Sequence, residues 1–368
     1  MDMYAVRTLR GQPMRLALTI GGVSLCIVLM FFLLAVYRGA ADGSVDYIRQ
    51  NKADLWVLQK NASNILRGSS LVSAAQGEAI SRIRGIQTVA PVLFLLQTIH
   101  KEGKVRTIFL AGFEPNKSLG GPPQLVSGRS VRADDEIVLD KSFAQKFGFG
   151  IGDEVDLQGH RLSVVGISRG TNAFVIQYAF VTIRFARTLI GFPGLTTCFL
   201  VETDKGADPE QIQEDIRRGL PGLEVYDHPT FLANNIHEMK SGFLPLLYTV
   251  AAIGAVVLTA ILSLLLSVNI LERRKDFAIL KTLGSPFVFL WGMVVKQAVL
   301  IASASSLTAL IIFFPLIQAV ERISPEVSTK SSLGQVIGVV IIVEIMSLIS
   351  SLFSIRRLHR IYFLEAFA

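Results

Sequence analysis

Leu16–Tyr37 reads LALTIGGVSLCIVLMFFLLAVY, 22 residues without one charge, and it fixes the solvent that the fold must satisfy. A bilayer core of about 30 Å takes about 20 helical residues to cross. Three further runs fit the same description. Phe243–Leu271 holds 29 uncharged residues, Pro286–Val320 is apolar except for Lys296, and Leu333–Ile355 is apolar except for Glu344. Each is long enough to span, the third with length to spare for tilt. A signal peptide cleaved near Gly39-Ala40-Ala41 is disfavoured, because signal apolar cores run about 7–15 residues. The layout is one span, a polar stretch of 205 residues from Arg38 to Gly242, then three spans close together.

Composition agrees. The chain has 368 residues, 51% hydrophobic and only 18% charged, with a mean hydropathy of +0.50. That excludes a disordered chain and argues against an ordinary soluble enzyme. Two cysteines, Cys26 and Cys198, are too few for a disulfide framework or a zinc cluster.

The net charge of +7 could point to nucleic acid, but its distribution points elsewhere. Arg38–Gly242 carries 23 Lys/Arg against 22 Asp/Glu. The excess sits in three short segments: Arg7, Arg10 and Arg15 before the first span, Arg273, Arg274, Lys275 and Lys281 in the connector Glu272–Lys281, and Arg356, Arg357 and Arg360 in the tail. Basic short loops face the cytoplasm. Both termini and that connector are therefore expected inside, the large domain outside, and no nucleic-acid partner is expected.

The expected organisation is an amphipathic cytoplasmic segment over 1–15, spans over 16–37, 243–271, 286–320 and 333–355, and an extracytoplasmic α+β domain over 38–242. A stalk helix over 228–242 runs into the second span. The remaining segments are a cytoplasmic helix over 272–285, a short external loop over 321–332 and a cytoplasmic tail over 356–368. In the outer domain, strands are expected at Leu55–Leu58, Thr88–Ile99, Val105–Phe113, Glu136–Leu139, Glu154–Leu157, Arg161–Ile167, Tyr178–Thr182 and Cys198–Glu202. Helices are expected at Ser73–Arg84, capped by Ser73, and at Lys141–Phe147 and Asp208–Arg218.

Enzymatic motifs are sparse. Gly166-Ile167-Ser168-Arg169-Gly170 matches a nucleophile elbow after a strand, but Thr171–Val175 is no clear helix start, and Asp227 and His228 are adjacent. A Gly-bounded turn is the favoured reading, and a hydrolase using Ser168 is the outlying alternative. The five histidines lack metal-site spacing, and Gly103-Lys104 lacks the rest of a P-loop. No catalytic residue, metal or cofactor is expected on this chain, so ATP-driven work needs another subunit.

Three features remain. Lys296 and Glu344 both lie at roughly 15 Å depth counted from the cytoplasmic side at about 1.5 Å per residue. Mid-bilayer charges are paired or functional, so they read either as an ion pair fixing helix register or as groups in coupling or substrate passage. Gly334-x-x-x-Gly338 and Ala251-x-x-x-Ala255 are small-residue faces suited to helix packing. The connector sets Phe277, Ile279, Leu280 and Leu283 among charges and ends at Gly284. It reads as a short amphipathic helix that lies on lipid or docks in a partner's groove.

At this connector the chain resembles the FtsX-like, MacB-type permeases of ABC transporters. Their pattern is roughly E-R-x-x-E-I-G-I-L-R-A-L-G, against Glu272-Arg273-Arg274-Lys275-Asp276-Phe277-Ala278-Ile279-Leu280-Lys281-Thr282-Leu283-Gly284 here. Asp276-Phe277-Ala278 departs from E-I-G but keeps the acid and the apolar position. The tail from Arg356 to Phe367 is similar to the family's ending, with Tyr362-Phe363 in place of Asp-Pro. The opening from Leu9-Arg10 to Gly21-Gly22, the one-plus-three layout and the stretch Val126–Ile167 also fit. Length and Ala53–Leu58 are most similar to DevBCA-type glycolipid exporters (the DevC permease) and haem-exporter permeases.

The resemblance implies a homodimeric permease in a bacterial inner membrane, with two ATPase subunits that hold ATP and Mg and dock at the connectors. Glu272, Arg273, Lys275, Asp276, Phe277, Ile279, Leu280, Leu283 and Gly284 would couple them. ATP-driven motion would then reach the outer domain by mechanotransmission and extrude an amphiphile: lipid, glycolipid, haem or drug. A periplasmic adaptor and an outer-membrane channel are further partners the family allows. The alternative is a transmembrane signal transmitter that activates an outer partner such as a cell-wall hydrolase.

Overall fold

The structure, a computed structural model of the chain, describes residues 13–65, 70–101, 104–173, 176–242, 244–272, 275, 279, 283, 285–323 and 332–358. The chain divides into two compact units, residues 1–37, 245–320 and 329–368 in one and residues 38–244 and 321–328 in the other.

Helix α1 (Pro13–Gly43) runs beyond the apolar stretch Leu16–Tyr37. The outer domain then contains α2 (Asp46–Gln50), β1 (Leu55–Gln59), β2 (Val72–Ser73), α3 (Ala75–Ser81), β3 (Ile86–Lys101), β4 (Lys104–Phe113), β5 (Leu125–Gly128) and β6 (Glu136–Asp140). It continues with α4 (Lys141–Phe147), β7 (Glu154–Leu157), β8 (His160–Ser168), β9 (Asn172–Ala173), β10 (Ile176–Thr182) and α5 (Ile183–Ile190). Last come β11 (Leu195–Thr196), β12 (Cys198–Thr203), α6 (Pro209–Gly219), β13 (Leu223–Asp227) and α7 (His228–Ser241).

An eleven-stranded mixed sheet follows the order β13-β1-β12-β3-β4-β10-β6-β8-β5, with β7 on β3 and β8 and β9 on β10. Strand β3 explains how it is covered. Val89–Phe94 is buried without interruption, because alternate side chains of one strand feed opposite faces. Ala90, Val92 and Phe94 join Trp56, Tyr47, Tyr178 and Phe231 in one core. Val89 packs with Ile80 of α3 and Ile212 and Ile216 of α6, and Leu93 with Phe143 of α4 and Ile183 of α5.

Local chemistry sets the helix ends. The Asp140, Thr182 and Asp208 side chains accept from the Ser142, Phe185 and Glu210 N–H groups and so cap α4, α5 and α6. Gly148 and Gly191 stop α4 and α5 in the left-handed region. Ser73 does not cap α3: it pairs with Leu195 between β2 and β11, and α3 starts after Ala74 without a side-chain cap. The stalk also differs from one continuous helix. Helix α7 ends at Ser241, and Gly242 leaves the helical region at φ −85°, ψ −104°.

The other unit adds α8 (Leu244–Glu272), α9 (Phe287–Ile323) and α10 (Leu333–Leu358) to α1. Among the described residues, four helices are long and apolar enough to cross a membrane, over Leu16–Gly43, Tyr248–Glu272, Val288–Ile323 and Leu333–Leu352. Their shared core holds Val23, Ile27 and Phe31 of α1, Leu258 and Leu262 of α8, Ala302 and Phe313 of α9, and Val339 and Val343 of α10. Leu18, Leu25, Val256, Ile311 and Ile337 point outward, as side chains solvated by lipid do.

Candidate functional site

The residues expected to couple an ATPase lie in the connector between α8 and α9. Glu272 closes α8. Of the residues after it, Lys275, Ile279 and Leu283 are described, and all three are exposed. The Leu283 N–H donates to the Ile279 carbonyl at 3.0 Å, which closes one helical turn. Ile279 is 50% and Leu283 76% exposed, so this turn holds two branched apolar side chains away from the chain's own core. Arg273, Asp276, Phe277, Leu280 and Gly284 lie outside the described residues.

In the membrane unit, the Ser303 hydroxyl of α9 donates to Glu344 Oε1 of α10 at 2.7 Å. Lys296 is exposed and sits two turns before Ser303 on the same face of α9, about 10 Å away along the axis. The described hydrogen bond of Glu344 is thus to a serine and not to Lys296. Further hydroxyls tie the spans together. Ser24 of α1 donates to the Ser305 carbonyl of α9 at 3.0 Å, and Ser350 of α10 to the Thr259 carbonyl of α8 at 2.9 Å. These serines were open to inspection in Ser303–Ser306 and Ser347–Ser351, polar residues at helical spacing inside apolar runs, but sequence reasoning passed over them.

The two small-residue faces part company. Ala251 is buried, and Ala255 packs against the bundle's core. A methyl added at Gly338 would meet nothing within 4 Å, and one at Gly334 only the Ser332 hydroxyl at 3.9 Å.

The outer domain disposes of the serine motif. Ser168 is fully buried, its hydroxyl 2.9 Å from Thr171 Oγ1 and donating to the Leu139 carbonyl at 3.3 Å. Thr171 in turn donates to Asp140 Oδ2 at 2.6 Å. Burial pushes the Asp140 carboxyl up, partly offset by the Thr171 and Ser142 hydrogen bonds. Around it, a methyl at Gly166 would sit 2.3 Å from the Arg129 carbonyl oxygen. This is a closed structural network that no substrate reaches. A cleft of about 750 Å³ lies between α3, β3 and the loop after β4. Its cations are committed: Lys117 pairs with Glu114 at 2.8 Å, and Arg187 donates to the Leu195 carbonyl at 2.9 Å.

The family model for the MacB-like periplasmic core domain matches residues 16–218, and that for the FtsX-like permease C-terminal region matches residues 248–363. The chain is similar to an uncharacterized ABC transporter permease of Mycobacterium tuberculosis, 24% identical over 326 residues, 86% of this chain and 88% of that one. It is also similar to one of Methanocaldococcus jannaschii, 22% identical over 387 residues, covering 96% and 94%. Among solved structures, the periplasmic region of MacB from Actinobacillus actinomycetemcomitans aligns with a TM-score of 0.41 at 14% identity, over 50% of this chain and 92% of that one.

Proposed function

The chain belongs to the FtsX/MacB-type permeases of ABC transporters, and from that membership we propose that it is the membrane subunit of an ATP-driven exporter of an amphiphile. The family implies a partner ATPase. In this reading that separate subunit binds ATP and Mg, two copies act on a permease homodimer, and this chain carries no catalytic residue.

The observation that carries the reading is the turn Ile279–Leu283. Two exposed apolar side chains on a helical turn, in a connector that also carries Lys275 and Lys281 and joins two spans, make a surface that fits a hydrophobic groove on a protein better than water. An ATPase gripping that turn pulls on α8 and α9 together, and α9 holds α1 and α10 through Ser24 and Glu344. Motion is thereby passed to the whole bundle. An amphiphilic substrate is in keeping with the apolar outward faces of the spans, which suit a molecule with a lipid-like part.

The test is a nanodisc pull-down of the tagged chain with mass spectrometry of proteins and lipids. Wild type is expected to bring down a P-loop ATPase in equal amount and an enriched amphiphile. Phe277→Asp and Leu280→Asp are expected to lose the ATPase while still inserting. Retention by both variants would reject the docking surface. An ATPase with an outer hydrolase and no enriched small molecule would favour signal transmission over export.

A further inference from the structure

We infer that the first turns of α9, Phe287–Lys296, lie in the phospholipid headgroup layer on the connector side, where the Lys296 ammonium binds the phosphate of a lipid. Counted from Pro286, Lys296 would lie about 15 Å deep, but α9 is too long for the hydrocarbon to begin there. The apolar stretch Val288–Ile323 has 36 residues, about 54 Å of helix. A core about 30 Å thick holds about 26 helical residues even at a tilt of about 40°. About ten residues of the stretch therefore stand outside the hydrocarbon.

Helix α1 shows at which end they stand. Ser24 donates to the Ser305 carbonyl at 3.0 Å, and the Phe31 and Phe313 rings meet with centroids 5.1 Å apart. Nearly the same spacing separates the two contacts on each helix, so α1 and α9 run side by side in one direction. Leu16, where the uncharged run of α1 begins after Arg15, is then level with Gln297. Tyr37, where that run ends, is level with Gln318. Between the two glutamines lies Ala298–Ile317, 20 residues without a charge or an amide. That is one bilayer core in length.

Helix α10 sets the edge slightly nearer the connector. Descending from Glu344, which is bonded to Ser303, it reaches its first basic residue, Arg356, level with Trp291. The edge of the hydrocarbon thus crosses α9 between Trp291 and Lys296. Both are exposed, and membrane interfaces collect indoles and basic side chains. Lys296 is at most about 7 Å inside that edge. Helical side chains lean toward the N-terminus of their helix, here the connector end, so the Lys296 stem carries its ammonium outward, as snorkelling lysines do. The anions at that level are lipid phosphates. A phosphate held there fixes the height of α9, which bonds α1 through Ser24 and α10 through Glu344.

Depth is read with spin labels on single cysteines at Val288, Trp291, Lys296, Leu300 and Leu307 of the full chain, in nanodiscs of phosphatidylcholine and phosphatidylglycerol. Collisions with oxygen against those with a water-soluble nickel complex rank the positions. Leu307 is expected to be the deepest, with Val288 and Lys296 open to the nickel complex. A profile deepest at Lys296 would overturn the placement. The ligand is read at Phe289→Trp in a Trp291→Phe background, two turns from Lys296 on the same face. Its quenching by brominated phosphatidylglycerol is compared with that by brominated phosphatidylcholine. Lys296→Gln is expected to lower the preference for phosphatidylglycerol about fivefold, the worth of one lysine at an anionic surface, and Lys296→Arg to keep it. A preference unchanged by Lys296→Gln would overturn the phosphate site. Neither measurement depends on an ATPase being bound.

Discussion

Trp56 in the outer domain and Ser305 in the bundle are both fully buried, yet they occupy opposite kinds of core. Trp56 stacks on Phe231 with ring centroids 4.6 Å apart, next to Tyr47, Tyr178 and Phe180. Ser305 lends its carbonyl to Ser24 among Val, Ile and Ala side chains. Water drives the first arrangement, because each large ring removed from water contributes to folding. Lipid tails are as apolar as the helices, so the second arrangement relies on close approach and interhelical hydroxyl bonds. The same residue class therefore has different worth in the two units. An exposed Leu is ordinary on the spans, whereas the outer domain gathers leucines and valines into three buried clusters and leaves only a few, such as Leu71 and Leu96, exposed.

Truncation measures that contrast. Trp56→Ala should cost about 3–5 kcal/mol of outer-domain stability, read as a fall in the midpoint of protease-monitored urea unfolding of the full chain. A loss below about 1 kcal/mol would mean that this core is not held by its rings.

Acid probes the outer domain more gently. Glu136 accepts from both guanidinium nitrogens of Arg129 and from the Arg132 and Ala133 N–H groups. Those contacts hold its carboxyl down at about 2, from an ordinary 4.5. A depressed acid stabilises the fold above its unfolded value, so this contribution is complete above pH 4.5 and fades toward pH 2. Glu136→Gln should flatten the stability–pH profile in that window and cost at most about 1 kcal/mol at neutral pH. An unchanged profile would show that the pair is idle.

The smallest effect is expected in the bundle. Ser350→Ala removes the hydroxyl bond to Thr259, worth about 0.6 kcal/mol by the average for such bonds. Detergent-melt midpoints should barely move. A loss as large as that of Trp56→Ala would erase the distinction between the two cores.

The four spans were legible from sequence because lipid imposes one rule, a long uncharged run, and a helix satisfies its own backbone. The strands of the outer domain were legible where apolar and β-branched residues cluster, as in Leu55–Leu58 and Tyr178–Thr182. Their order was not, since the parallel pairing of β10 with β4 and of β6 with β8 depends on contacts between segments far apart in the chain. Ser73 misled because a capping residue is also a good edge-strand residue, and its pairing with Leu195 prevailed. Glu344 was recognisable as an acid inside an apolar run, but its partner Ser303 was not, because a serine there carries no charge to announce it.

Cys198 has a consequence for anyone who wishes to watch this molecule move. It is fully buried in the outer domain, and burial pushes its thiol well above the ordinary range, away from the reactive thiolate. The other free cysteine, Cys26, lies half-buried among the apolar residues of α1. The native chain is therefore close to silent toward water-soluble thiol reagents. A single cysteine placed at Leu283 could report by fluorescence or spin resonance against almost no background, without first stripping the protein of its own sulfur.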